Sequence, residues 1–175
     1  MYTKHYPDKR FQLTLDFLKK HATPPQDILD LGVKNPFAEI MQNEGYRVTN
    51  TSGQDLDKNR EEIISSSAEI TTAFEICEHL LSPYEVLKAI PSDTLFASIP
   101  LKLWFAKAYR SQTDPRDRHF HEFEDWQFDW LLEKAGWDIK DAIQFTNPVN
   151  KIGFRPLLRR ITPRYYLVYC KRRTK

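Results

Sequence analysis

The chain alternates short apolar runs with segments of helical periodicity, and this alternation most restricts the folds open to it. The apolar runs predict strands at residues 28–32, 46–51, 70–77 and 94–99, with two final strands at 137–145 and 165–171. Helices are predicted at residues 8–21, 36–45, 82–90 and 124–135. Strand and helix in turn predict an α/β fold, in which helices cover both faces of a mostly parallel sheet.

Three segments give weaker signals. Residues 58–67 fit one helical turn at most, and residues 104–118 are aromatic and charged without clean periodicity, which suits a lid or an irregular helix. A basic connection containing prolines joins the last two strands. Cys77 is predicted to be a buried strand residue. The aromatic residues Trp104, Phe105, Tyr109, Trp126 and Trp130 are predicted to pack in the core or the lid.

The length of 175 residues fits one domain, so we expect residues 1–175 to fold together, with residues 151–175 as part of that domain. With 41% hydrophobic and 29% charged residues, neither disorder nor a fibre is indicated. We find no apolar run that could cross a bilayer and no secretory signal. The two cysteines lie far apart in sequence, which favours a reduced, cytoplasmic protein. Oligomeric state is left open.

The net charge of +2 conceals an uneven distribution. Residues 151–175 contain nine Lys or Arg and no acid, whereas residues 1–150 hold 17 basic and 24 acidic side chains. Such a basic segment predicts an anionic partner, such as nucleic acid, phospholipid headgroups or a phosphorylated substrate. The alternative is a solvated edge of the domain.

Ligands of open α/β sheets bind beyond the carboxyl ends of the strands. The candidate site residues therefore follow the predicted strands, at 30–34, 50–57, 75–79 and 98–102.

Three motifs at these positions carry a resemblance. The sequence I-L-D-L-G at 28–32 resembles the first motif of class I S-adenosylmethionine-dependent methyltransferases. The sequence F-E-I-C-E-H-L-L-S-P at 74–83 is similar to their fourth-strand motif, and L-L-E-K-A-G-W at 131–137 to the segment before their sixth strand. The resemblance covers about residues 10–145. It implies a Rossmann-like sheet with an antiparallel final strand, S-adenosylmethionine as the cofactor, and methyl transfer to an unidentified small-molecule or anionic acceptor.

By this resemblance, Asp30 orients the cofactor loop or meets the ammonium of the cofactor, while Gly32 lets the backbone approach it. The alternative for Asp30 is an acid that braces the loop. A helix N-terminus after this loop favours the carboxylate of the cofactor. Val33 and Lys34 stand where the family supplies glycines, and a β-branched valine resists positive φ.

The family places an acid at the end of its second strand to accept the ribose hydroxyls, and here that place holds Asn50 or Thr51. Asp55 and Leu56 match the adenine-side motif, which implies a shortened third-strand region. Asp55 and Asp57 would then compensate for the missing acid; otherwise both lie in an exposed polar loop.

Glu75 and Ile76 are expected to flank the methionine part of the cofactor. His79 and His119 are the candidate catalytic bases, because a histidine with an ordinary pKa near 6.5 can accept a proton from an acceptor hydroxyl or amine. The alternative for His79 is a structural hydrogen bond. No metal is expected: the spacing E-x-x-E-H lacks the first histidine of H-x-x-E-H, and His119-Phe120-His121-Glu122 has no cysteine or obvious fourth ligand.

Two further functions remain as alternatives. The altered glycine loop favours a catalytically degenerate methyltransferase-fold protein that serves as a binding or scaffold module. A nicotinamide-dependent enzyme is disfavoured, because no G-x-G-x-x-G is present.

Overall fold

The computed structural model describes residues 8–114, 117–147 and 152–174. The helices are α1 (Asp8–His21), α2 (Pro36–Asn43), α3 (Glu61–Ile64), α4 (Pro83–Ala89), α5 (Asp125–Lys134) and α6 (Phe154–Ile161). The strands are β1 (Asp27–Asp30), β2 (Arg47–Asn50), β3 (Ile70–Phe74), β4 (Thr94–Pro100), β5 (Trp137–Thr146) and β6 (Pro163–Arg172).

The six strands form one sheet in the order β2-β1-β3-β4-β6-β5. The pairs β1–β2, β1–β3 and β3–β4 are parallel, whereas β6 runs antiparallel to both β4 and β5. The predicted Rossmann-like, mostly parallel sheet with an antiparallel final strand is therefore confirmed. Because β6 lies between β4 and β5, residues 163–172 of the basic segment 151–175 are part of the sheet.

Alternate residues of the strands supply two hydrophobic cores, one on each face of the sheet. Ile28 and Phe96 face the core beneath α1 and α2, which also contains Leu18 and Met41. Their strand neighbours Leu29, Leu95 and Ala97 face the other core, which also includes Leu87 of α4 and Phe128 and Leu132 of α5. The central strands β1, β3 and β4 are thus buried on both faces, as helix-covered parallel sheets require.

The segment between β2 and β3 is short. Residues 51–60 contain no strand or helix, and α3 is a single turn. This agrees with the weak helical signal at residues 58–67 and with a shortened third-strand region.

The structure corrects the predictions for the end of β3 and for several aromatic side chains. Strand β3 ends at Phe74, because Glu75 takes a positive φ of 56° that breaks the extended chain, and Cys77–His79 form a 3-10 turn. Cys77 is buried as predicted, but in that turn. Residues 104–114 form turns, so no irregular helix is present there, and the lid stays a prediction. Trp104, Tyr109, Trp126 and Trp130 are largely exposed, so these rings are not core residues.

The connection between β5 and β6 contains the unpredicted helix α6. Its apolar residues recur with helical spacing at Phe154, Leu157, Leu158 and Ile161, and Pro156 lies in the first turn, where proline is tolerated. The helix was therefore readable in the sequence.

None of the helices within the described residues is long and apolar enough to cross a membrane.

Candidate functional site

A cleft of about 420 Å³ opens where β1, β3 and β4 reach their carboxyl ends. It is lined by Arg10, Phe11 and Thr14 of α1, by residues 30–37, by residues 74–76 and by Ser98. Most of the predicted cofactor residues on β1 and β3 therefore meet in one place, since parallel neighbouring strands end at the same edge of the sheet.

Asp30 is the buried centre of this edge. Its carboxylate accepts hydrogen bonds from Thr72 Oγ1 at 2.6 Å, Asn50 Nδ2 at 2.8 Å and Asn35 Nδ2 at 3.2 Å. Burial raises the pKa of Asp30 to about 6, although the three hydrogen bonds oppose the rise. Asp30 therefore braces the loop after β1, the start of α2 and the end of β2.

The turn after Asp30 depends on Gly32, which adopts a φ of 108°. Its N–H donates to Thr51 Oγ1 at 2.8 Å, so the amide already has a partner within the protein. Val33 is 59% exposed and lies against Gly53: a Cβ at Gly53 would come within 2.4 Å of Val33 Cγ1. The loops after β1 and β2 are thus in contact.

The N-terminus of α2 is capped from within the chain. Asn35 Oδ1 accepts hydrogen bonds from Phe37 N–H at 2.9 Å and Ala38 N–H at 3.1 Å. Lys34 extends outward and lies 3.4 Å from Glu39. The N–H groups at this helix N-terminus, which were predicted to favour the cofactor carboxylate, are therefore already bonded to Asn35. A ligand carboxylate would need a partner elsewhere in the cleft.

Arg10 and Glu75 form an ion pair on the opposite wall of the cleft. Arg10 Nη1 lies 3.3 Å from Glu75 Oε2, and Ser98 Oγ donates to Glu75 Oε1 at 2.9 Å. The backbone N–H of Glu75 donates to the Ser98 carbonyl, which holds residue 75 in its left-handed conformation. Burial raises the pKa of Glu75, while Arg10 opposes the rise. The cleft thus presents a cation and an acid side by side.

Residues predicted on the adenine side lie outside the lining of this cleft. Leu56 is buried in the core, and Asp55 is paired with Lys58 at 3.2 Å. Asp57 accepts from the N–H groups of Leu81 and Ser82, each at 2.8 Å, and so braces the start of α4.

The two histidines proposed as bases come together beside the 3-10 turn. The rings of His79 and His119 are 5.0 Å apart and nearly perpendicular. The side chain of Glu78, in the middle of this turn, is buried. Its backbone carbonyl accepts a hydrogen bond from Phe120 N–H, next to His119. Burial lowers the pKa of His119, opposed by its hydrogen bond to Glu122, and raises that of Glu78 well above the usual range.

A second cleft, of about 320 Å³, is basic. It lies between residues 103–112 on one side and α6 and the start of β6 on the other. Its charged lining consists of Lys107, Arg110, Glu122, Arg159 and Arg164. Of the predicted basic segment, Arg159 and Arg164 face this cleft. Other cations of that segment make internal contacts: the Arg172 guanidinium stacks 3.7 Å above the Trp137 ring, and Arg173 pairs with Asp138.

Sequence reasoning missed Arg10 and gave Glu78 no role. Arg10 lies in a helix far from every recognised motif, and only the packing of α1 over β3 places it at Glu75. Glu78 lies within the quoted E-H motif, so a signal was present there.

No family model and no curated protein sequence matches the chain. Its fold is similar to that of several solved structures. One is a S-adenosylmethionine-dependent methyltransferase from Archaeoglobus fulgidus, with TM-score 0.65 and 14% identity over 97% of this chain and 96% of that one. Another is a S-adenosylmethionine-dependent methyltransferase from Methanosarcina mazei, with TM-score 0.63 and 11% identity over 91% and 98%. The [4+2]-cyclase SpnF matches with TM-score 0.61 and 11% identity over 99% and 87%. At these identities the likeness establishes the fold alone.

Proposed function

Because the chain has the class I S-adenosylmethionine-dependent methyltransferase fold, we propose that it transfers a methyl group from S-adenosylmethionine to a small anionic acceptor. The observation that carries this proposal is the Arg10–Glu75 pair in the cleft at the carboxyl ends of β1 and β3. Ligands of open α/β sheets bind at that edge.

The residues of the cleft fit the amino-acid half of the cofactor. Its carboxylate would pair with Arg10, and its ammonium would pair with Glu75, in place of the present contact of 3.3 Å between the two side chains. Gly32 has a positive φ, and a Cβ there would lie 3.3 Å from Ile76 Cδ1, so a larger residue would strain this turn and crowd the wall of the cleft. Asp30 would contribute to cofactor binding indirectly, by holding this turn in place.

When bound, the cofactor supplies an electrophilic methyl group on a sulfonium. The chain's part is to hold the acceptor in line with that methyl group, which accounts for much of the catalysis of such a displacement. His79 or His119 would take the proton of a hydroxyl or amine acceptor at Nε2, so long as that nitrogen is not bound to a metal ion.

The basic cleft supports an anionic acceptor. Lys107, Arg110, Arg159 and Arg164 line it together with one acid, Glu122, and Glu122 also accepts a hydrogen bond from His119. Charges focused in a concave site raise the local concentration of an oppositely charged ligand. The acceptor would enter between residues 103–112 and α6.

A second candidate function is that of a catalytically degenerate binding or scaffold module. The contact of Val33 with Gly53, and the use of the Gly32 amide by Thr51, favour it, because both occupy the side where an adenosine would lie. The [4+2]-cyclase SpnF is an example of this fold in a protein that is named for another activity.

Calorimetric titration with S-adenosylmethionine and S-adenosylhomocysteine tests the proposal. We expect dissociation constants below about 100 μM, that is, a binding free energy beyond about −5.5 kcal/mol. Arg10→Gln should weaken both ligands by roughly tenfold or more, since a charge-assisted hydrogen bond to the carboxylate is lost. Glu75→Gln should weaken them similarly.

Lys19→Gln is the matched control, because Lys19 lies on the same helix in an exposed pair with Glu44 and away from the cleft. It should bind like the wild type. No heat and no thermal shift at millimolar ligand would favour the scaffold function instead.

A further inference from the structure

Glu78 is a buried acid with an unsatisfied oxygen. It is 1% exposed, and its Oε2 has no hydrogen-bond partner within the described part of the chain. Its Oε1 lies 3.8 Å from His79 Nε2, beyond hydrogen-bond distance. A buried carboxylate oxygen without a donor is costly, so Glu78 is either protonated, in agreement with its raised pKa, or charged beside a cation.

The two neighbouring histidines are each held by a hydrogen bond through Nδ1. His79 Nδ1 lies 3.1 Å from the Arg118 carbonyl, and His119 Nδ1 lies 2.9 Å from Glu122 Oε1. A carbonyl and a carboxylate can only accept, so Nδ1 carries the proton in each ring. In the neutral rings, Nε2 is therefore left with its lone pair.

Ligand atoms of Glu78, His79 and His119 all lie within 4.8 Å of one another. Two imidazoles and a carboxylate that converge in this way, each imidazole oriented by a backbone carbonyl or an acid, have the construction of a metal centre with its supporting shell. We propose that Glu78, His79 and His119 bind a divalent transition-metal ion. This proposal replaces our expectation from the sequence that the chain has no metal site.

The donor set selects the ion. Two nitrogens and one oxygen favour Zn²⁺ over Mg²⁺ or Ca²⁺, which prefer oxygen ligands. Tetrahedral ligation at about 2.1 Å puts ligand atoms about 3.4 Å apart, so the three side chains close slightly around the ion. Three protein ligands leave one coordination position for water or a ligand oxygen.

The sequence signal was divided between two distant motifs. Glu78 and His79 belong to the E-H motif after β3, and His119 lies 40 residues later in the H-x-H-E segment. Neither contains enough ligands alone. The contacts of Phe120 N–H and His121 N–H with the Glu78 carbonyl, at 2.8 and 3.3 Å, bring the segments together.

Titration of the chelator-treated full chain with Zn²⁺ alone tests the site, with Co²⁺ as a spectroscopic probe. We expect one Zn²⁺ to bind per chain. Co²⁺ bound at the same site should show the visible absorption bands that a low-symmetry coordination gives. His79→Gln and His119→Gln should each weaken the affinity for Zn²⁺ at least about 100-fold. Glu122→Gln keeps all three ligands and should weaken the affinity about 10- to 100-fold. Zn²⁺ should raise the melting temperature of the wild type but not of His119→Gln.

His121→Gln is the matched control, because it removes a histidine two residues away that is outside the cluster. It should bind Zn²⁺ like the wild type. Absence of Zn²⁺ binding by the wild type, or equal binding by the His79, His119 and Glu122 variants, would overturn the proposal. Since no S-adenosylmethionine is present, the result is independent of the proposed methyl transfer.

Discussion

Asn50 Nδ2 donates a 2.8 Å hydrogen bond to Asp30 Oδ2, across the ends of two neighbouring parallel strands. The same Nδ2 lies 3.4 Å from the Gly32 carbonyl, so one amide holds both the acid and the turn that follows it. An acid at position 50 would meet a buried carboxylate instead. The amide at this position is therefore matched to the burial of Asp30.

Asn50→Asp should destabilise the protein by on the order of 2 kcal/mol at pH 7, because a donor is lost and two carboxylates are placed side by side. The loss of stability relative to the wild type should shrink below pH 6, where the carboxylates of residues 30 and 50 can share a proton. Urea unfolding at the two pH values measures it. Asn59→Asp makes the same change on an exposed loop and should cost little. Equal losses in both variants would contradict this prediction.

Asp30 should make stability depend on pH. Its pKa is about 6 in the folded chain against 3.8 for an ordinary aspartate, so the folded state binds the proton more tightly. Stability from this group is thus gained as pH falls through 6 and is complete near 3.8. At about 1.4 kcal/mol per pKa unit, the gain is on the order of 3 kcal/mol.

Asp30→Asn should lack this gain. The difference in unfolding free energy between wild type and variant should therefore change by that amount between pH 7 and pH 4, while other titrating groups cancel. Parallel stability curves for the two proteins would show that Asp30 is not desolvated as described.

Val33 and Gly53 should be coupled. Gly53→Ala places a Cβ 2.4 Å from Val33 Cγ1 at a φ of 86°, and should cost roughly 2 kcal/mol. Val33→Ala alone should be nearly neutral, because Val33 is 59% exposed. In the double variant about 1 kcal/mol of the Gly53→Ala loss should be recovered, as measured by a double-mutant cycle. Simple additivity would mean that the two loops do not touch in solution.

The basic cleft should bind small polyanions. We expect sodium pyrophosphate at low ionic strength to raise the melting temperature, and Arg159→Gln to reduce that rise by at least half. Arg155→Gln removes an equal charge from the exposed side of the same helix and should leave most of the rise. If both variants behave alike, the effect is one of net charge and not of this cleft.

Apart from α6, the sequence predicted the order of the main elements and the edge of the sheet at which the cleft opens, because both follow from local periodicity and from the direction of parallel strands. The I-L-D-L-G run placed Asp30 and Gly32 at the end of β1, and the E-H motif placed Glu75 after β3, where all three line the cleft. Their roles stay predictions. Strand β3 was predicted too long, since the left-handed conformation of Glu75 depends on its bond to Ser98, 23 residues away.

What the side chains at that edge do was decided by tertiary structure. The sequence alone determined that an acid, a glycine, an amide and a histidine would lie at or after strand ends of one α/β sheet, with a second histidine shortly before α5. Packing then aimed Asn50 at Asp30, capped α2 with Asn35, set Arg10 against Glu75 and joined Glu78 to His119. These contacts link residues far apart in the chain, and their partners are chosen by which strands and loops become neighbours, a choice that no local pattern contains.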